Sequence, residues 1–281
     1  MYRVKIILDS INKAGNRFTT AEAEYARNFH SEVLTHRKLS RNSASSRAIP
    51  ASKLRERVIN DPVVPLHFGK NQKGMQAREE IEDIEAAKAW WAKCIKSAVD
   101  LHEEGERLGL HKQVVNRIIE PFMFNTVIIS ATNYDNLFFL RYHKDALPEF
   151  EWLARNLYEA IEASTPTLLQ PGEWHMPFIR PEDWEHTNGD IAMLKKISVA
   201  RCARVSYLTH DGRRDYKEDI RLHDDLCKPE DPNEPLHLSP FEHVAVALED
   251  SASWGNLEGW KQYRKEFERE AGPVKFVPRS N

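Results

Sequence analysis

The stretch REEIEDIEAAKAWWAKCIKSAVDLHEEGERLG, residues 78–109, constrains the fold more than any other part of the chain. It is dense in strong helix formers with apolar residues at helical spacing, so it reads as one long amphipathic helix or a helix pair. Trp90 and Trp91 are expected to pack in the core. Elsewhere the pattern changes period. Val4 to Ile11 reads as a strand closed by the turn signal NKAGN. Residues 111–143 move from helix into an apolar extended segment and back to helix.

Further elements follow the same logic. A helix is predicted over EAEYARNFHSEVLTHR, residues 22–37, opened by the hydroxyls of Thr19 and Thr20 and with Tyr25, Phe29, Val33 and Leu34 on one side. DALPEFEWLARNLYEAIEAS reads as another amphipathic helix. TPTLLQPGEWHMPFIRPEDWEHTNGD, residues 165–190, holds four prolines and two tryptophans and reads as a long ordered connection. A helix is expected around Lys217 to Leu226, a strand entered from HLSPFEHVAVALED, and a final helix over NLEGWKQYRKEFERE. The sequence has no repeat.

Composition narrows the function classes. The hydrophobic fraction of 41% and charged fraction of 30% suit a soluble globular protein. A formal charge of −3 argues against a general nucleic-acid binder. Cys94, Cys202 and Cys227 suggest neither a disulfide framework nor a zinc site, so reduced thiols and no metal are expected. No apolar run reaches membrane-spanning length, and the short apolar start does not suggest a signal peptide. A cytoplasmic protein with no membrane partner is the expectation.

Against that background THRKLSRNSASSRAIP, Thr35 to Pro50, stands out. It carries His36, Arg37, Lys38, Arg41 and Arg47 with four serines and no carboxylate. A solvated basic loop is one reading. The other is an anion site of hydroxyls, guanidinium forks and backbone N–H groups. Three more segments compete for chemistry: HLSPFEH, ARCARVSY with Arg201 and Arg204, and the pair NRIIEP and NYDNLFFLR with Arg117 and Arg141. Arginines beside apolar segments need an ion pair or an anionic ligand. There is no G-x-S-x-G elbow, no G-x-G-x-x-G, no P-loop and no cysteine in a catalytic context.

Together these segments resemble the flavin-dependent thymidylate synthases, whose signature is R-H-R-x-x-S-x-N-E-x-S-x-R-Y. His36, Arg37, Ser40, Asn42, Ser45 and Arg47 fall on matching positions, while Thr35, Ser43 and Ala48 depart from arginine, glutamate and tyrosine. HLSPFEH is similar to H-x-S/T-P-F-E-H, CARVSY to A-R-V-S-F/Y, NRIIEP to A-R-x-x-L-P and NLFFLR to N-F-L-x-L-R. The order differs from the family's, because CARVSY and HLSPFEH follow the signature. That implies a circular permutation with 165–190 as the new connection, within one domain over 1–281 made of a signature and helical half (1–164), the connection, and a permuted half (191–281). GWKQYRKEF is similar to the family's Q-W-x-R-H-R approach, which offers Gln262 and Arg264 as contacts, with a plain surface helix as the alternative.

The resemblance implies an α+β fold, a mostly antiparallel sheet flanked by long helices. It implies reductive methylation of C5 of dUMP with FAD, NADPH and methylenetetrahydrofolate, in a homotetramer whose active sites lie between subunits. Ser45, Ser46 and Arg47 would hold the nucleotide. Arg117 from a neighbouring subunit would bind its phosphate, and Arg141 would face the pyrimidine, so Ser45 and Arg141 carry the catalytic expectation. His36, Arg37, Ser40, Asn136, Ser206, His237, Ser239 and Glu242 would line the flavin and folate region. The departures at Thr35 and Ser43 open two alternatives. One is a methylase or hydroxymethylase of dUMP or dCMP, of the viral type that makes modified DNA bases in host cytoplasm. The other is a non-catalytic flavin- or nucleotide-binding relative.

Overall fold

The computed structural model describes residues 1–205, 215–227 and 236–267. Ten strands and nine helices are present among them. In chain order they are β1 (Arg3–Asn12), β2 (Arg17–Ala26), α1 (His30–Val33), β3 (Ser40–Ser43), α2 (Ala51–Asn60), α3 (Ile84–Arg107), α4 (Lys112–Ile119), β4 (Phe124–Ala131), α5 (Asp135–Arg141), α6 (Pro148–Glu162), β5 (Thr167–Leu169), β6 (Trp174–His175), α7 (Pro181–His186), α8 (Ile191–Arg204), α9 (Tyr216–Cys227), β7 (Ala245–Ala247), β8 (Ser253–Trp254), β9 (Leu257–Glu258) and β10 (Trp260–Gln262). The main sheet has the order β3-β4-β2-β1-β5, antiparallel except for the β1–β5 pair. A three-stranded antiparallel sheet, β10-β7-β6, lies beside it. The fold is α+β, as expected.

Of the helix predicted over 22–37 only His30–Val33 is α-helical, and residues 22–26 belong instead to strand β2. RFTTAEAEYA contains helix-forming Ala and Glu, but β2 lies between β1 and β4 and is buried almost throughout, with Ala21, Ala23 and Tyr25 turned to α6. Tertiary context thus overrides a weak local propensity. Helix α6 supplies fully buried Phe150, Leu153 and Leu157 to that layer. Each contributes roughly 1.5–3 kcal/mol of burial. Of the expected helix or helix pair over 78–109 the structure forms one helix, α3, of 24 residues, opened by Asp83, whose carboxylate accepts from the Ala86 N–H. Trp91 packs beside Phe122 and donates its indole N–H to the Val63 carbonyl, but Trp90 is 58% exposed and is not a core residue.

The 165–190 segment is more than a connection. Its β5 pairs with β1 and its β6 with β7, so it stitches the small sheet to the large one. The described part of the expected C-terminal helix, residues 256–267, instead forms β9, β10 and a 3-10 turn at Tyr263–Glu266. Gly259 between those strands has φ +75°, and a Cβ there would meet Asn12 Nδ2 and Asn16 Oδ1 at 2.5 Å. That close approach lets Asn12 donate to the Gly259 carbonyl at 2.9 Å.

Buried polar groups complete the junctions. His175 bridges Ser10 Oγ and Thr20 Oγ1, both at 2.9 Å. Thr20 reaches Ser130 Oγ at 2.6 Å, and Ser130 reaches His243 Nδ1 at 2.8 Å. Arg201 is clamped by a bidentate pair with Asp183 (2.6 and 2.7 Å) and by Asp219 at 3.1 Å. No helix of the described residues is long and apolar enough to cross a membrane.

Burial holds His175 and His243 neutral, with pKa values near 3, and His30 near 4. All three lie below the unfolded value of about 6.5, so the unfolded chain binds more protons as pH falls through that range. Stability is therefore present above pH ~6.5 and drains away toward the folded values. Urea unfolding at about pH 7.5 and 5.5 checks this: the midpoint should fall at the lower pH, and His175→Gln should make that fall shallower. An equal pH dependence in the variant would contradict it.

Candidate functional site

The Thr35–Ala48 stretch wraps strand β3, the edge of the main sheet. Its side chains are bonded to segments from four other parts of the sequence. At one end, His36 is buried. Its Nδ1 donates to Asn136 Oδ1 at 3.3 Å, and its Nε2 accepts from Arg141 Nε at 3.2 Å. The two bonds fix a neutral imidazole with the proton on Nδ1. The Arg141 guanidinium also lies 4.7 Å above the ring of Phe150, and its Nη1 is 3.7 Å from Glu32. Burial is the larger cause that lowers the His36 pKa, and Arg141's positive charge adds to it.

In the middle of the stretch, Ser40 Oγ accepts from Asn256 Nδ2 at 3.0 Å and Gln262 Nε2 at 3.1 Å. Gln262 is buried rather than on a surface helix, and Arg264 pairs with Glu242 of the PFEH turn. Asn42 Nδ2 donates to the Cys202 carbonyl at 2.8 Å, and Ser239 Oγ lies 3.5 Å from Asn42 Oδ1. Ser43, at the position of the signature's glutamate, shares a 3.3 Å hydrogen bond with His30 Nε2. His30 Nδ1 in turn bonds Tyr25 Oη at 2.7 Å.

At the far end, Ser46 Oγ donates to Glu120, which also holds Arg117 at 3.2 Å. Asn116 Nδ2 donates to the carbonyls of Ser46 (2.7 Å) and Ile49 (3.0 Å). Ser45 is half-buried and its carbonyl accepts from the Ala48 N–H. Arg37 and Arg47 are exposed, and no described residue forms an ion pair or hydrogen bond with either guanidinium. They are cations presented outward from a stretch that lacks carboxylates.

NRIIEP, NLFFLR, CARVSY and HLSPFEH thus all reach the signature through hydrogen bonds. Ser206 lies outside the described residues. His237 is exposed and its N–H donates to the Leu226 carbonyl. No hydrogen bond joins Ser45 to Arg141 among the described residues: Arg141 bonds His36, which precedes β3, and Ser45 follows that strand. Arg201 and Arg204 are not surface cations, since both bond Asp219. His30, Phe150 and Asn256 hold the signature in place without belonging to any motif, whereas Glu120 lies within NRIIEP and Gln262 had a sequence signal in WKQYR. A cleft of about 950 Å³ bounded by β1, α2 and residues 176–180 contains none of the signature side chains. Its Arg3 is paired with Glu22 and Glu24, and its Arg204 with Asp219.

No protein-family model matches the chain, and no curated protein matches it. Among solved structures it is similar to a UMP/dUMP methylase, PolB, from Streptomyces cacaoi bound with 5-Br dUMP, at 12% identity over 57% of this chain and 89% of that chain, TM-score 0.45. It is also similar to thymidylate synthase X from Helicobacter pylori with FAD and dUMP, at 20% identity over 51% of this chain and 67% of that one, TM-score 0.35.

A histidine-resolved NMR titration tests the His36–Arg141 pair. His36 should titrate below the ordinary imidazole range, and Arg141→Ala should raise its midpoint without fully restoring it, because burial remains. A midpoint that stays put or falls in Arg141→Ala would contradict the pairing.

Proposed function

We propose that this chain is a flavin-dependent enzyme that methylates C5 of a deoxypyrimidine monophosphate, dUMP to dTMP. Methylenetetrahydrofolate supplies the carbon, and NADPH reduces the FAD. The observation that supports this is the convergence on one stretch: four motif segments scattered from residue 116 to residue 243 are hydrogen-bonded to Thr35–Ala48. The donor set suits the ligands. Two exposed guanidiniums and a run of hydroxyls without a carboxylate match phosphate-bearing molecules, which bring the anions themselves.

When bound, the reduced flavin supplies the hydride, so no protein nucleophile is needed. Ser45, Ser46 and Arg47 hold the nucleotide. Arg117, supplied by a neighbouring copy, exchanges Glu120 for the substrate phosphate. Arg141, steadied by His36 and Phe150, stabilises negative charge that develops on the pyrimidine. His36, Arg37, Ser40, Asn136, Ser206, His237, Ser239 and Glu242 line the flavin and folate region. Assembly of copies, a homotetramer on this reading, is supported by exposed apolar residues on α4, the helix of Arg117, and on α3. Val114 and Ile118 lie on α4, and Trp90, Leu101 and Leu108 lie on α3 or at its end. The segment order remains read as a circular permutation through 165–190.

Ser43 favours a second reading. Its hydroxyl is turned to His30 where a glutamate would offer charge to a ligand, and such a change alters which substrate groups are matched. That reading is methylation or hydroxymethylation of dCMP or dUMP.

Purified protein should take up FAD with a flavin absorbance band, and product mass after incubation with dUMP or dCMP separates the readings. Exclusive modification of dCMP supports the second. Nucleotide and FAD binding without turnover would point to a non-catalytic relative, and failure to load FAD would overturn both enzyme readings. Arg47→Ala should weaken nucleotide binding by about 10- to 100-fold, the worth of a charge-assisted hydrogen bond, and Ser45→Ala by about tenfold, with the fold intact. Unchanged binding and kinetics in both would refute the assignment.

A further inference from the structure

The last turns of α9 carry His223, Asp224 and Cys227, which take no part in the site above. His223 and Cys227 are four residues apart and share a helix face. His223 Nδ1 lies 2.8 Å from Asp224 Oδ1 and 3.8 Å from Cys227 Sγ. One donor atom from each residue falls within 4.8 Å of the others. A histidine beside an aspartate is common and needs no ligand to explain it. A thiol converging on the same nitrogen is the additional feature.

Zinc binds imidazole nitrogen at about 2.1 Å and thiolate sulfur at about 2.3 Å, which puts N and S about 3.6 Å apart in a tetrahedral site. The observed 3.8 Å is close to that spacing. The shorter N–O separation would open slightly as a cation replaces the proton shared between imidazole and carboxylate. Metal binding releases one proton, from the Cys227 thiol, while the neutral imidazole shifts its own proton from Nδ1 to Nε2 and so frees Nδ1 for the cation. His223 and Cys227 are buried and Asp224 is partly exposed.

The surroundings hold the donors in place. The His223 ring stacks on Tyr263 at 5.9 Å and lies 4.9 Å from Phe241. Lys196 donates to both oxygens of Asp224, at 2.8 and 3.1 Å, and so orients that carboxylate. The ammonium opposes a nearby cation, which favours a metal with high intrinsic affinity for thiolate and imidazole.

We propose that His223 Nδ1, Asp224 Oδ1 and Cys227 Sγ bind one zinc-class divalent cation, with a fourth position open to water or another ligand. This reverses the expectation from cysteine count alone. The site is structural: Phe241 belongs to the PFEH turn and the His237 N–H donates to the Leu226 carbonyl, so the bound ion stiffens the HLSPFEH segment. It stands independently of the proposed function.

The test is a Co²⁺ titration of the full chain after stripping with chelator. One equivalent should bind with a thiolate-to-cobalt charge-transfer band that Zn²⁺ displaces. Cys227→Ser should abolish the band and Cys94→Ser should leave it. Asp224→Asn, at a partly exposed carboxylate compatible with folding, should lower affinity about tenfold or more. Absence of the band in the parent chain, or its survival in Cys227→Ser, would overturn the proposal.

Discussion

Two imidazoles kept neutral by burial join the two sheets. His175 and His243 are fully buried, and the hydroxyls of Ser10, Thr20 and Ser130 complete a continuous hydrogen-bonded line from β1 through β2 and β4 to the PFEH turn. A charged imidazole in that line would cost far more than the bonds return, so the junction exists only while both rings stay uncharged. The line depends on β6, the two-residue strand that brings His175 between the sheets. With the small sheet seated, β10 and the turn at Pro240–His243 lie against β3, and the polar cluster around the signature can form.

That cluster explains a charge pattern that is otherwise odd. Arg41 spends its donors on the carbonyls of Val33 and His36, and Arg141 is committed to His36, Glu32 and Phe150. Arg37 and Arg47 point outward. The cations of the stretch therefore divide into those that build the loop and those available to an incoming anion. Among the described residues the second group has no counter-charge, and α3 and α4 keep apolar residues exposed, the surface that the proposed pairing of copies would cover.

Much of this was legible in the residues. The long helix α3, strand β4, helix α6 and the entry into β7 follow from periodicity and capping. The segments that resemble the family's motifs are the ones the structure joins by hydrogen bonds. Strand β2 was not legible, because Ala and Glu favour helix locally and only its place between β1 and β4 makes it a strand. Trp90 was misplaced because helical periodicity does not say which face finds a partner. Two partners of the signature, His30 and Phe150, carry no motif, since a residue that holds another in place leaves no spacing rule. Gln262 did carry a signal, but its short strand read as helix because Lys, Gln, Arg and Glu dominate its surroundings.

The most direct measurement of the central claim, a flavin site completed between copies, is complementation between two variants. Arg47→Ala and Arg117→Ala are each prepared, dissociated and reassociated alone or in an equal mixture, then assayed with FAD, NADPH, methylenetetrahydrofolate and dUMP. Each alone should be nearly inactive. The mixture should regain activity in roughly a quarter of its sites, those that random pairing leaves with both arginines intact. A mixture no more active than the sum of its parts, or a parent chain inactive under the same conditions, would contradict the account.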